Sequence, residues 1–268
     1  MAEEEISRRD FSRKMLGAVL TFSLFETLFS ACSGEKSLIV SGKNDFVEPS
    51  VAPILKHWSV ELNEFCGDLQ ISKISPLDWQ KQIDRLYSRI ELEELLKFID
   101  FEKLTRKFEY PDLGVNTRNV SFPAIEGLPE KTFYVKKIFG MKKGRAVIPH
   151  GHSNMTSAHL VIKGEFALKH FEKVRFEDEH LIVKPTIDKL IGPGDFSSIS
   201  DEKDNVHWFI ADTEAAFTFD VIMLDLKGQK TDIHNLDIDA AERISDDLLR
   251  ARILDVETAL KKYGKQHH

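Results

Sequence analysis

The 268-residue chain carries 37 Lys and Arg against 44 Asp and Glu, and its formal charge of -7 argues against a nucleic-acid partner, whose phosphates it would repel. Hydrophobic content of 42% beside 30% charged residues describes a globular body that can bury a sizeable core in one domain with extensions. Two cysteines, Cys32 and Cys66, exclude a disulfide framework.

A basic stretch, Ser7 to Lys14, precedes the apolar run MLGAVLTFSLF, and the segment ends at LFSACSG. A basic region, an apolar run of this length and small residues before a cleavage point describe an export signal over residues 1–32. Ser7, Arg8, Arg9 and Phe11 resemble the twin-arginine (Tat) signal, whose paired arginines are read by the export machinery. Ser30-Ala31-Cys32 is similar to a bacterial lipobox, with Phe29 where leucine is usual and Glu26 inside the apolar run. These resemblances imply Tat export, lipidation of Cys32, and a periplasmic protein held at the membrane by a lipid anchor. Tat substrates cross already folded, often with a metal loaded beforehand. The plainer alternatives are an ordinary amphipathic helix or an uncleaved anchor.

Residues 33–50 are polar with scattered glycine and read as a linker. Residues 51–110 follow a helical pattern. Ser75-Pro76-Leu77-Asp78 predicts a helix start, with a capping serine, proline in the first turn and an acid three residues on. Trp79, Ile83, Leu86 and Ile90 then recur at helical spacing and predict an apolar face. Cys66, on a similar pattern, reads as a small buried hydrophobe. After Tyr110-Pro111 short runs rich in Val, Ile and Phe, separated by Gly, Pro or charged turns, predict an antiparallel sandwich or small barrel over 111–230. Residues 231–268 read as a helical tail, with Ala241, Ile244, Leu248, Ile253, Val256 and Leu260 along one face of a helix from Asp237 to Tyr263.

The chemistry concentrates in IPHGHSNMTSAHLVIKG, Ile148 to Gly164. His150 and His152 sit one residue apart in a strand-like run, so both imidazoles share a face. His207 lies in a later strand, DNVHWFIAD. Three imidazoles brought together would hold one divalent metal and leave positions open for a substrate.

His150-Gly151-His152, then Ser157 and Gly164, resembles the first motif of the cupin superfamily, with serine where that motif carries a glutamate ligand. Gly194-Asp195 and His207 resemble the second motif, with Ser200 at its usual proline and Ala211 at its usual asparagine. The resemblance covers roughly Thr132 to Lys227 and implies a mainly β fold, a jelly-roll barrel, here with helical extensions at both ends. Without the glutamate, the three-histidine set is typical of thiol dioxygenases. The runs from Pro149 to Met155 and from Asn205 to Ala211, with Phe219-Asp220-Val221, are similar to motifs of cysteamine dioxygenases and plant cysteine oxidases. That likeness implies ferrous iron on His150, His152 and His207, a role for Asp220 near the substrate, and oxidation of a thiol by dioxygen. Lys203-Asp204 replaces the paired glycines usual before Asn205.

His159 shares strand parity with Ser157 and should point inward, as a fourth ligand, an orienting donor or a packed histidine. Asp220, in an apolar strand, is costly to bury unless paired, which makes it either functional or half of a structural salt bridge. His170, His180 and His234 lie among charged or polar neighbours and read as solvated. Iron is the favoured ion, with zinc, manganese and nickel as alternatives. Three functions stay open: an oxygenase for a small, thiol-bearing molecule, a non-catalytic barrel that binds a small ligand or metal, and a zinc-dependent isomerase or hydrolase. The terminal helices could cover the barrel or make a homodimer.

Overall fold

The computed structural model describes residues 53–266. The expected export signal with Arg8, Arg9 and Cys32, and the linker after it, lie outside the described residues. Four helices come first: α1 (Pro53–Gln70), α2 (Pro76–Tyr87), α3 (Leu92–Phe98) and α4 (Phe101–Thr105). The start of α2 is the expected one, with Ser75 Oγ accepting from the Asp78 backbone N–H at 3.0 Å and Pro76 in the first turn. Its face of Trp79, Ile83 and Leu86 is buried, and the Trp79 indole N–H donates to Cys66 Sγ at 3.4 Å. Burial pushes the Cys66 thiol up to about 12, so it stays protonated and acts as core.

Nine strands follow: β1 (Asn116–Asn119), β2 (Val135–Met141), β3 (Ala146–Ser153), β4 (Thr156–Lys163), β5 (Phe166–Glu177), β6 (His180–Ile191), β7 (Phe196–Ile199), β8 (Val206–Ala211) and β9 (Ala216–Met223). They pair antiparallel as β1-β2-β9-β4-β7 in one sheet and β6-β5-β8-β3 in the other. The chain crosses between the sheets so that β2, β4, β7 and β9 make one and β3, β5, β6 and β8 the other. That strand order is a jelly roll, as the motifs imply. Alternation fixes which side chains meet the helices. Ala158, Leu160 and Ile162 of β4 and Phe217, Phe219, Val221 and Met223 of β9 point out of the sandwich, into one apolar cluster with Trp58, Leu62, Phe65, Trp79 and Tyr87. The N-terminal helices therefore cover the outer face of the five-stranded sheet.

The C-terminal region departs from expectation. Only α5 (Val256–Tyr263) is helical; the residues before it form a hairpin, β10 (Asp232–Arg243) and β11 (Leu249–Leu254). β10 pairs with β3 and β11 with β6, so the hairpin joins the two free edges of the second sheet and closes six strands into a ring. Unpaired edges demand partners, and that tertiary demand overrides the helical spacing of an Ala- and Glu-containing segment. The barrel accordingly runs to Leu254, beyond the expected boundary at 230. Ala259 and Tyr263 of α5 pack on Ala146, Ile148 and Trp208, the outer face of this second sheet.

Candidate metal centre

β3 is where the local fold decides the chemistry. Val147 pairs with Phe209, but the next pair is His150 with His207, three residues along β3 against two along β8. This bulge falls at Ile148-Pro149, where proline has no N–H to give to the ladder. It reverses the facing of the strand: Ala146 and Ile148 pack outward with Trp208 and Tyr263, while His150 and His152 turn into the sandwich. Simple alternation from Ala146 would have sent the two histidines the other way. Between them Gly151 faces β8 so closely that an added Cβ would meet Asn205 Oδ1 and Val206 Cγ2, both at 2.9 Å.

His150, His152 and His207 each offer one ligand atom, and those atoms lie within 4.8 Å of one another. Ring centres are 4.6 Å apart for His150–His152, 4.3 Å for His150–His207 and 5.1 Å for His152–His207. All three are buried. Burial pulls His150 down to about 4 and holds His152 and His207 well below the usual imidazole range, each lowered further by its neighbouring histidines. The rings are therefore neutral, the form that ligates a cation. His150 Nδ1–H donates to the Ile148 carbonyl at 2.7 Å, which leaves Nε2 as its ligand atom. Ser157, where the motif would carry glutamate, is buried, and its hydroxyl has no partner among the described residues. The donor set is three neutral nitrogens and suits a divalent transition metal.

Side chains around β8 hold this geometry. The Asn205 amide accepts from the His152 backbone N–H at 3.0 Å and donates to the His152 carbonyl at 3.1 Å and the Ser200 carbonyl at 2.9 Å. It clips β3 to the turn before β8. Asp204 takes a left-handed conformation (φ +53°), as a glycine there could, and its carboxylate accepts from Thr186 Oγ1 at 2.6 Å. Gly164, the last residue of the first motif, has φ +73° and no room for a Cβ against Ala215 and Ala216.

The five-stranded sheet faces the triad with His159 and Asp220, cross-strand neighbours on β4 and β9. Both are buried, and His159 Nδ1 lies 2.7 Å from Asp220 Oδ2. His159 Nε2 and Asp220 Oδ1 have no partner among the described residues, and the His159 ring centre is 5.0 Å from that of His207. Sequence reasoning misread one residue and missed another. His170, expected to be solvated, is 0% exposed, because in β5 it pairs with His207, on the face opposite Lys169. Asn235, in the segment expected to be helical, is also 0% exposed and pairs with His150. His180 and His234 are half-buried, and His234 pairs with Gly151, between two of the triad residues.

No protein-family model matches the chain, and no curated protein matches it in sequence. Among solved structures, KdgF from Halomonas sp. is similar at 15% identity and TM-score 0.30, over 44% of this chain and 87% of that one. A cupin superfamily protein from Desulfitobacterium hafniense matches at 12% identity and TM-score 0.28, over 44% and 84%. A recombinant oxalate oxidase in complex with glycolate matches at 14% and TM-score 0.31, over 42% of this chain and 52% of its own. Scores this low add nothing to the strand order, and it is the order of β2 to β9 that makes the fold a jelly roll, with a histidine triad inside it that could hold a metal.

Proposed function

We propose that the chain is a metal-dependent oxygenase that binds one divalent ion, ferrous iron above the others, and oxidises a small thiol with dioxygen. The observation that carries this reading is the donor set: three buried, neutral imidazoles with ligand atoms within 4.8 Å and a serine where a carboxylate ligand would offset the metal charge. The overall conversion balances as R–SH + O2 → R–SO2H, with sulfur oxidised by four electrons and dioxygen reduced by the same number. A ferrous ion supplies open positions and redox capacity for both reactants.

The protein's own residues do the rest. His150, hydrogen-bonded to Ile148, presents Nε2, and His152 is held through its backbone by Asn205. His159 Nδ1–H donates to Asp220, and its Nε2 has no partner among the described residues, in a ring centred 5.0 Å from that of His207. That nitrogen can take the proton of an incoming thiol, and the carboxylate of Asp220 stabilises the imidazolium that results. The surrounding Phe209 and Phe166 rings keep the space dry. Export by the Tat route and a lipid anchor on Cys32 complete the proposal, because a folded, metal-loaded barrel suits that route.

Oxygen uptake by the ferrous protein with a panel of small thiols tests the reading. Thiol-dependent uptake that falls at least about a hundredfold in His159→Ala supports it. A protein that binds iron yet consumes no oxygen with any thiol would make the chain a binding barrel instead.

A further inference from the structure

The wall that carries the triad does not end with it. Cross-strand pairing places Asn235, His150, His207 and His170 in one row across β10, β3, β8 and β5, and paired residues share a face of the sheet. Asn235 and His170 are both 0% exposed. Neither Nδ2 nor Oδ1 of Asn235, and neither ring nitrogen of His170, has a partner among the described residues. A buried amide and a buried imidazole with nothing to bond are a standing cost to the fold, and natural structures rarely carry such groups without a reason. These two flank the metal ligands, each one strand away, or about 5 Å along the sheet. The His170 ring centre is 6.3 Å from that of His207.

Resting on the metal-binding reading above, we infer that Asn235 and His170 are recognition residues on the two sides of the site: each offers hydrogen bonds to an uncharged group, a hydroxyl or an amide, of a ligand whose other end meets the metal. The class follows from the wall. An amide donates and accepts without charge, and a neutral imidazole does the same through its two nitrogens. The row of four holds three imidazoles and an amide, with no carboxylate, lysine or arginine to pair with a charged group. Asn235 reaches the site only because the β10–β11 hairpin closes the sheet edge, so the hairpin is part of the binding wall as well as an edge cover.

Two measurements on Asn235→Leu and His170→Leu test this. The first is the melting temperature of the metal-free protein. Replacing an unpartnered buried polar group by an apolar one of similar size removes a cost, so each variant should melt about 2–4 °C higher than the parent. The second uses the cobalt(II)-loaded protein and its visible absorption, titrated with 2-mercaptoethanol and with ethanethiol. The parent should bind the hydroxyl-bearing thiol about tenfold more tightly than the apolar one, the leucine variant on the side where the hydroxyl lies should lose that advantage while both still take up cobalt, and an advantage kept in both would overturn the inference. His170→Gln, which keeps a donor and an acceptor, should retain part of the advantage. Variants that melt lower, or a parent that does not distinguish the two thiols, would overturn the inference. Cobalt that binds but responds to neither thiol would count against thiol oxidation, and the melting temperatures would then decide the wall by themselves.

Discussion

The five-stranded sheet has two faces that differ in kind. Its outer face meets the N-terminal helices through Trp58, Leu62, Trp79, Tyr87, Phe217 and Phe219, packed into one large apolar cluster. Its inner face meets the triad wall through Ser157, Ser197, His159 and Asp220, all buried, and each leaves at least one polar atom without a partner among the described residues. The outer face is what a stable fold asks for, apolar area removed from water. The inner face is what such a fold avoids, buried polar groups short of hydrogen bonds. Stability and chemistry are thus divided between the two sides of one sheet, and the jelly roll tolerates its polar interior because its exterior is so well covered.

That division can be broken from the outside first. Trp79→Ala, at a side chain that is 0% exposed, should destabilise the protein by about 3–5 kcal/mol in chemical denaturation. Metal stoichiometry measured well below the transition should not change. A variant that keeps full stability would mean that the helices are not what holds the sheet.

Acid sharpens the comparison from the inside. His170 sits near 3 and His150 near 4 in the folded protein, against about 6.5 for an unfolded histidine. Between those values the unfolded chain binds more protons than the folded one, so stability falls as pH drops from about 6.5 towards 4. Each such histidine adds up to about 1.4 kcal/mol per pH unit to the slope, and His170→Leu should flatten the curve measured on metal-free protein. Above about pH 7 the two proteins should run parallel. A slope that His170→Leu leaves untouched would mean that this side chain reaches solvent.

The smallest expected effect lies at the edge of the apolar side. Ser75→Ala removes the hydroxyl that accepts from the Asp78 N–H and should cost about 1 kcal/mol, with the triad unaffected.

How much of this was legible depended on whether the signal was local. The short Val-, Ile- and Phe-rich runs carried the sandwich or small barrel, the resemblance of the run from His150 to Gly164 to a known motif carried the jelly roll, and the period of Trp79, Ile83 and Leu86 carried the apolar helix face. The inward direction of His159 and the need of Asp220 for a partner also followed, from strand parity and the cost of a buried carboxylate; that each is the other's partner emerged only in the register of β4 and β9. What stayed hidden was set at a distance. The bulge at Ile148-Pro149 is a relation between β3 and β8, and no window of sequence contains both. His170 looked solvated because Lys169 and Glu172 stand close to it in sequence, and its pairing with His207 shows only in the register of β5 and β8. Asn235 was lost inside a segment whose spacing suits a helix and whose strand conformation is imposed by two open sheet edges.

The central claim, a metal held by three imidazoles, is tested most directly by metal analysis of the purified protein by mass spectrometry, as isolated and after reconstitution with ferrous iron. Analysis of His150→Ala and His207→Ala alongside makes the test specific. The account predicts close to one divalent ion per chain, lost in both variants while both remain folded. A folded parent protein that holds no stoichiometric metal after reconstitution, or variants that keep it, would contradict the account.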